Sequence, residues 1–140
     1  MDEKLFIRIK NRISEIAHVS QQLKHYARRH QLPQKAVNKI DLALDEILNN
    51  VINYSYDDLD EHEIQVQIML QNDQIIITVR DDGRKFNPLD VPSDDTISPL
   101  QERPIGGLGI HLFKNVMDEV EYSYEKNQNC LKMKLNIRGN

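Results

Sequence analysis

A single cysteine, Cys130, is all the disulfide chemistry this 140-residue chain has, so no internal disulfide framework can hold it together. Long apolar runs are missing too. None approaches the ~18 residues needed to cross a bilayer, and the opening Met1-Asp2-Glu3-Lys4 lacks the hydrophobic core of a secretory signal. The expectation is a cytoplasmic protein with no membrane partner. Excess positive charge is absent as well. Lys and Arg number 18 against 22 Asp and Glu, a net charge of −4, which argues against direct nucleic-acid binding. No internal repeat or low-complexity tract interrupts the chain. What remains is ordinary globular material, 39% hydrophobic and 29% charged. That length suits one domain, residues 1–140, able to bury roughly 68–70% of its unfolded surface.

Periodicity divides the chain into elements. Leu5, Ile7 and Ile9 alternate as a half-buried strand over 4–10. Ile13, Ile16, Ala17, Val19, Leu23 and Ala27 fit one face of a helix from Arg12 to about His30, with Asn11 or Ser14 as its cap. Pro33 suits the opening of a second helix that reaches about Tyr54. Strands at 63–70 and 74–80 meet at Gln71-Asn72-Asp73, a hairpin signal. Periodicity then lapses between Asp81 and Pro104, where prolines stand at 88, 92, 99 and 104. A loop of that length in a small domain is often a lid or binding loop. A helix at about 108–118 follows, and the chain closes with strands at 119–124 and 130–137 turning at 126–129. The sum is an α+β two-layer sandwich, a mixed, mostly antiparallel sheet with helices on one face.

Glycine is scarce, five in all, yet Gly106, Gly107 and Gly109 fall within four residues and lead into helical spacing at Ile110, Phe113, Val116 and Met117. Glycine lets backbone approach a ligand closely. A helix beginning there would turn its unpaired N–H groups toward an anion such as phosphate. The alternative is a simple tight turn. Spacing does not form Gly-x-Gly-x-x-Gly and no P-loop lysine follows, which excludes a dinucleotide-binding fold. Two polar clusters lie upstream. Glu46, Asn50 and Asn53, at i, i+4 and i+7, share one stripe of the second helix, expected opposite its core face. A carboxylate beside an amide oxygen offers hard ligands for Mg²⁺, or a base next to a metal ligand; a solvated face is the other reading. Asp81 ends a strand before Asp82-Gly83 and can accept from an exocyclic amine, although Asp-Gly is also a common turn.

Taken in order, these motifs resemble the GHKL (Bergerat-fold) ATP-binding domains. They are Glu-x-x-x-Asn on a helix, Asp-x-Gly-x-x-Phe-x-Pro after a strand, then a variable loop and Gly-Gly-Leu-Gly-Ile. The run Leu42-Ala-Leu-Asp-Glu46-Ile-Leu-Asn-Asn50, closing at Tyr54, looks most like the anti-sigma-factor serine kinases. The resemblance implies ATP and Mg²⁺ as cofactors. It implies that Glu46 is the general base and that Asn50 binds the metal. Asp81 would read the adenine amine, and Gly83 would let the base lie close. It places Phe86, Leu108 and Ile110 at the nucleotide, Gly106, Gly107 and Gly109 around the phosphates, and the ATP lid at about 86–105. Arg103 would meet developing γ-phosphate charge. Asn53 stands where this branch often has His, and Lys85 where many relatives have a second glycine. The implied activity is phosphorylation of an anti-sigma-factor antagonist, with a sigma factor or other regulatory protein as alternative partner and a homodimer as the assembly. The alternative is a nucleotide-loaded switch acting through protein contacts alone.

Overall fold

The computed structural model describes residues 4–88 and 116–137. Its elements run in the order β1 (Lys4–Lys10), α1 (Ile16–Arg29), α2 (Gln34–Tyr54), β2 (Glu63–Gln71), β3 (Gln74–Asp81), β4 (Glu119–Glu125) and β5 (Gln128–Asn136), with a 3₁₀ turn at Ile13–Glu15 before α1. The five strands form one sheet in the order β1-β2-β3-β5-β4. Every pairing among them is antiparallel.

Side-chain alternation sorts the sheet into two faces. Ile7 and Ile9 of β1, Ile64, Val66 and Ile68 of β2, Ile75, Ile77 and Val79 of β3, and Leu131, Met133 and Leu135 of β5 are buried on one face. The helices cover that face. α1 contributes Val19, Leu23, Tyr26 and Ala27, and α2 contributes Val37, Ile40, Leu44, Ile47 and Val51. Each such aliphatic side chain, once buried, contributes about 1.5–3 kcal/mol. Tyr26 is buried, yet its hydroxyl is used, accepting from the Leu70 backbone N–H at 3.0 Å. That bond ties α1 to the end of β2.

Both hairpins turn in two residues. Asn72 and Asp73 have φ of 53° and 63°, and Lys126 and Asn127 repeat those values. Positive φ at both central positions is the turn whose twist matches a hairpin's strands. The second turn is tighter than expected from sequence. It occupies 126–127 rather than 126–129, so β5 starts at Gln128 and Asn129 belongs to a strand. Neither expected cap serves α1, because Asn11 does something else: its side-chain oxygen accepts from the His62 N–H at 2.8 Å. Pro33 sits just ahead of α2, with φ −62° and ψ 143°, rather than inside it. The expected helix at 108–118 lies almost wholly outside the described residues.

Candidate functional site

The polar stripe of α2 is not where sequence reasoning put it. Glu46 and Asn50 are 4% and 1% exposed, on the same side of the helix as buried Ala43 and Ile47. They continue the core face rather than opposing it. A helix turn of 100° per residue brings positions 43, 46, 47 and 50 onto one flank, and the sheet lies beneath it. Asn53 is exposed, at the margin of that flank. Asn49 donates its amide to the Asp45 carbonyl at 2.7 Å, a local bond that explains an asparagine near a helix end.

Glu46 Oε2 and Asn50 Nδ2 are buried with no hydrogen-bond partner among the described residues. Polar atoms in that state are costly, and most buried ones are paired. Their price is exacted on the Glu46 carboxyl, which is pushed up to about 7, first by burial and second by neighbouring Asp45. A carboxyl poised near neutrality is what a general base requires.

The second half of the site is built around the last residue of β3. Asp81 is 3% exposed and pairs across the sheet with Asn129 of β5. Its Oδ1 accepts from Gly83 N–H at 2.9 Å and from Asn129 Nδ2 at 3.0 Å. Burial pushes the Asp81 carboxyl above the usual carboxylate range, while the Asn129 and Gly83 hydrogen bonds oppose that rise. Asn129 reaches further. Its Nδ2 also donates to the Arg84 carbonyl at 2.8 Å, and its Oδ1 accepts from Phe86 N–H at 2.9 Å and from the Tyr122 hydroxyl.

The end of α2 holds the same segment from the other side. Arg84 N–H donates to the Ser55 carbonyl at 2.8 Å, and Arg84 Nε to the Tyr54 carbonyl at 2.9 Å. Phe86 packs on Tyr54, ring centroids 5.8 Å apart. Gly83 is required here for packing: a Cβ would stand 2.4 Å from the Ser55 carbonyl oxygen. Lys85 lies over the Tyr124 ring at 5.8 Å. Thus α2, β3 and β5 converge on residues 81–86, and the helix that carries Glu46 and Asn50 is bonded directly to the loop that follows Asp81.

Asn129 was missed by sequence reasoning, which took it for a turn residue. Arg103, Gly106, Gly107, Leu108, Gly109 and Ile110 lie outside the described residues, as does most of the expected lid. A groove of about 540 Å³ between α1 and α2 is lined by Leu42, Asp45 and Asn49 and does not include Glu46, Asn50 or Asp81. The residues present fit a nucleotide and its metal. On α2 the Glu46 Oε2 atom, an oxygen of the kind a hard cation takes, has no partner among the described residues, and Asp81 accepts from Gly83 and Asn129 through Oδ1 alone. Among the described residues no helix is long and apolar enough to cross a membrane.

Comparison with known proteins bears on the family and the fold. The sequence profile of the histidine kinase-like ATPase domain matches residues 9–135. An anti-sigma F factor of Oceanobacillus iheyensis is 28% identical over 85 residues, 61% of this chain and 58% of that protein. A serine-protein kinase RsbW of Bacillus mycoides is 24% identical over 136 residues, 94% of this chain and 84% of that protein. A Listeria monocytogenes RsbW is 26% identical over 101 residues, 66% of this chain and 61% of that protein. The first and the third of these relatives are therefore matched over less than two thirds of their length. Among solved structures, the RsbU and RsbW domains of a Mycobacterium tuberculosis protein superpose with a TM-score of 0.70 at 16% identity, covering 98% of this chain and 33% of that one. The Acinetobacter baumannii histidine kinase AdeS gives 0.51 at 14% identity, covering 96% and 68%. At such identities the structural likeness shows the fold alone.

Proposed function

This chain belongs to the histidine kinase-like ATPase domain family, and from that premise we propose that it is an ATP-dependent serine/threonine protein kinase of a partner-switching system. Its substrate is a serine or threonine hydroxyl on an anti-sigma-factor antagonist, and its alternative partner is a sigma factor or other regulatory protein. The observation that carries the reading is the pair Glu46 and Asn50, buried one turn apart with unpartnered polar atoms, on the helix bonded to the Asp81 loop.

Each residue has a role that its chemistry supports. Asp81, as a carboxylate, accepts from the exocyclic amine of adenine. Asn50 offers its amide oxygen to Mg²⁺, a hard cation that favours oxygen ligands. Glu46 takes the proton from the attacking hydroxyl, for which its raised pKa suits it. When bound, ATP would supply the transferable phosphoryl group and Mg²⁺ would offset its charge. The remaining work is positioning, which the bonds from α2 and β5 to residues 81–86 provide. Gly106, Gly107 and Gly109, with Leu108 and Ile110, are assigned to the phosphates, and Arg103 to developing charge. ATP and ADP would favour different partners through differential affinity, in a cytoplasmic homodimer.

Thermal melts with and without ATP, in Mg²⁺ and then in EDTA, test the reading. Saturation at about 100 times Kd adds roughly 2.7 kcal/mol, a rise of several degrees that should need both Mg²⁺ and Asn50. No shift with any adenine nucleotide would overturn it. Transfer of labelled phosphate from ATP to a purified antagonist protein then separates a kinase from a switch that acts by contact alone.

A further inference from the structure

We propose that His62 is a positioning residue for the segment that follows β3: with both ring nitrogens protonated it braces Asp82 against Asp58, and with one proton lost it lets Asp82 go. Its effect on ATP rests on the reading of residues 81–86 as part of the nucleotide site. The brace itself does not.

The backbone fixes where the ring stands. His62 N–H donates to Asn11 Oδ1 at 2.8 Å, and Asn11 N–H donates to the His62 carbonyl at 3.0 Å. These two bonds hold His62 to the end of β1, one residue ahead of β2. Its ring lies on the Tyr56 ring, centroids 4.4 Å apart and planes 18° from parallel. From that position Nε2 lies 2.8 Å from Asp58 Oδ1, and Nδ1 lies 3.3 Å from Asp82 Oδ1. Asp58 belongs to the loop after α2, where its Oδ1 also accepts from the Asp60 N–H at 2.9 Å. Asp82 stands between Asp81 and Gly83. A ring turned over would set carbon against both carboxylates, so the two contacts determine its orientation.

A neutral imidazole has one N–H, and the imidazolium has two. Both carboxylates are therefore met only by the charged ring. When a proton leaves, one nitrogen turns a bare lone pair on a carboxylate oxygen, acceptor against acceptor. The remaining proton stays on the shorter contact, at Asp58, so Asp82 is the partner released. His62 cannot follow it, being held by Asn11. The restraint is lost at Asp82 and passes along the chain to Asp81 and Gly83, whereas Arg84 keeps its bonds to Tyr54 and Ser55.

The surrounding groups favour the braced form. The Asp58 hydrogen bond raises His62 from the ordinary 6.5 against the opposing effect of burial, and the charges of Asp58 and Asp82 add to the rise. Asp58 is held below the usual carboxylate range, first by His62 and then by the Asp60 N–H, so it is ionised wherever His62 titrates. Tyr56 is kept neutral by burial and by the charges of Asp81, Asp82 and Asp58, and offers its ring face to the cation. Lys10 and Arg12 approach from the end of β1, but Glu61 engages both, at 2.8 and 2.9 Å. Glu15 and Glu63 line the same groove as His62. Folding raises His62, so the brace is complete below 6.5 and is lost as pH rises through the folded value. Asp58 and Asp82 are about half exposed, so water screens both pairs and keeps the effect small.

The test is a pair of titrations between about pH 5 and about pH 9. In the first, proton NMR follows the His62 ring in nucleotide-free protein, its signal assigned by absence from His62→Gln. The midpoint should lie above 6.5 and should fall in Asp82→Asn. A midpoint that Asp82→Asn leaves unchanged would overturn the brace. In the second, calorimetry gives the dissociation constant of ATP with Mg²⁺ for wild type and His62→Gln. Glutamine keeps a donor and carries no charge, as the neutral ring does. The nucleotide phosphates and Glu46 titrate in both proteins, so their effects cancel in the ratio of variant to wild-type constants. That ratio should be about two to five below the His62 midpoint and about one above it. A ratio that does not change with pH would reduce His62 to a structural residue and overturn the inference while leaving nucleotide binding standing. Should His62→Gln fail to fold, as judged by circular dichroism, Asp82→Asn takes its place with the same expected ratio. Wild type that binds no ATP at any pH would instead overturn the reading of the site, and the positioning role with it.

Discussion

The site has two buried polar groups of opposite character. On α2, Glu46 Oε2 and Asn50 Nδ2 have no partner among the described residues. At the end of β3, Asp81 and Asn129 sit in a network where every amide atom of Asn129 is engaged. Among the described residues the fold thus leaves one pair unsatisfied and saturates the amide of Asn129. Unpaired polar atoms are costly in a core, and a chain retains them where a ligand or a reaction will use them. A saturated network does the opposite work. It removes freedom from its members in advance, so that whatever they bind meets a group already oriented. On the function proposed above, chemistry on α2 and recognition at the end of β3 would rest on different physical principles.

Breaking the unsatisfied half should give the largest effect. Glu46→Ala is expected to lower phosphotransfer by about 10²–10⁴-fold with ATP affinity retained, read by labelled-phosphate transfer beside calorimetry. Equal losses in both would make Glu46 a binding residue. On the saturated side, Asp81→Ala removes the acceptor and should weaken ATP by about tenfold to a hundredfold. Full affinity in that variant would move base recognition elsewhere.

Packing that joins the two halves gives the next effect. Gly83→Ala would force a Cβ to 2.4 Å from the Ser55 carbonyl, so the loop or the end of α2 must move. Overpacking of this kind costs about 1–3 kcal/mol, visible as a lower urea midpoint without nucleotide. An unchanged midpoint would show that the contact relaxes freely.

The smallest expected effect is a dependence of stability on pH. Glu46 is raised from 4.5 to about 7 in the folded state, so folding disfavours its ionised form. Below the unfolded value Glu46 is neutral in both states and costs nothing. As pH rises through the folded value the cost is complete. Glu46→Gln should therefore raise the melting temperature of nucleotide-free protein by a few degrees at pH 8 and hardly at pH 5. The same gain at both values would place the effect in packing rather than in charge.

Much of this was readable from residues alone. Alternation in Ile64, Val66 and Ile68, and again in Leu131, Met133 and Leu135, marks buried strands because a strand has only two faces. Asn72-Asp73 marks its turn because those side chains tolerate positive φ. The same tolerance misled at the second hairpin. Lys126-Asn-Gln-Asn129 contains two asparagines, and turn chemistry cannot tell which of them turns. The structure turns at Lys126 and Asn127, and releases Asn129 into the sheet.

Periodicity also placed Glu46, Asn50 and Asn53 on one stripe, but of the three only Asn53 is exposed as expected, Glu46 and Asn50 being buried. A helical pattern gives angles between residues, whereas the direction of the sheet depends on where the helix is docked. Apolar residues are required to face inward and so reveal that direction; a few polar residues beside them do not, because nothing in their own chemistry drives them inward. Local order, element by element, follows from side-chain type and spacing along the chain. The pairing of Asp81 with Asn129, 48 residues apart, follows from strand register, and register is settled by the packing of the whole apolar face at once.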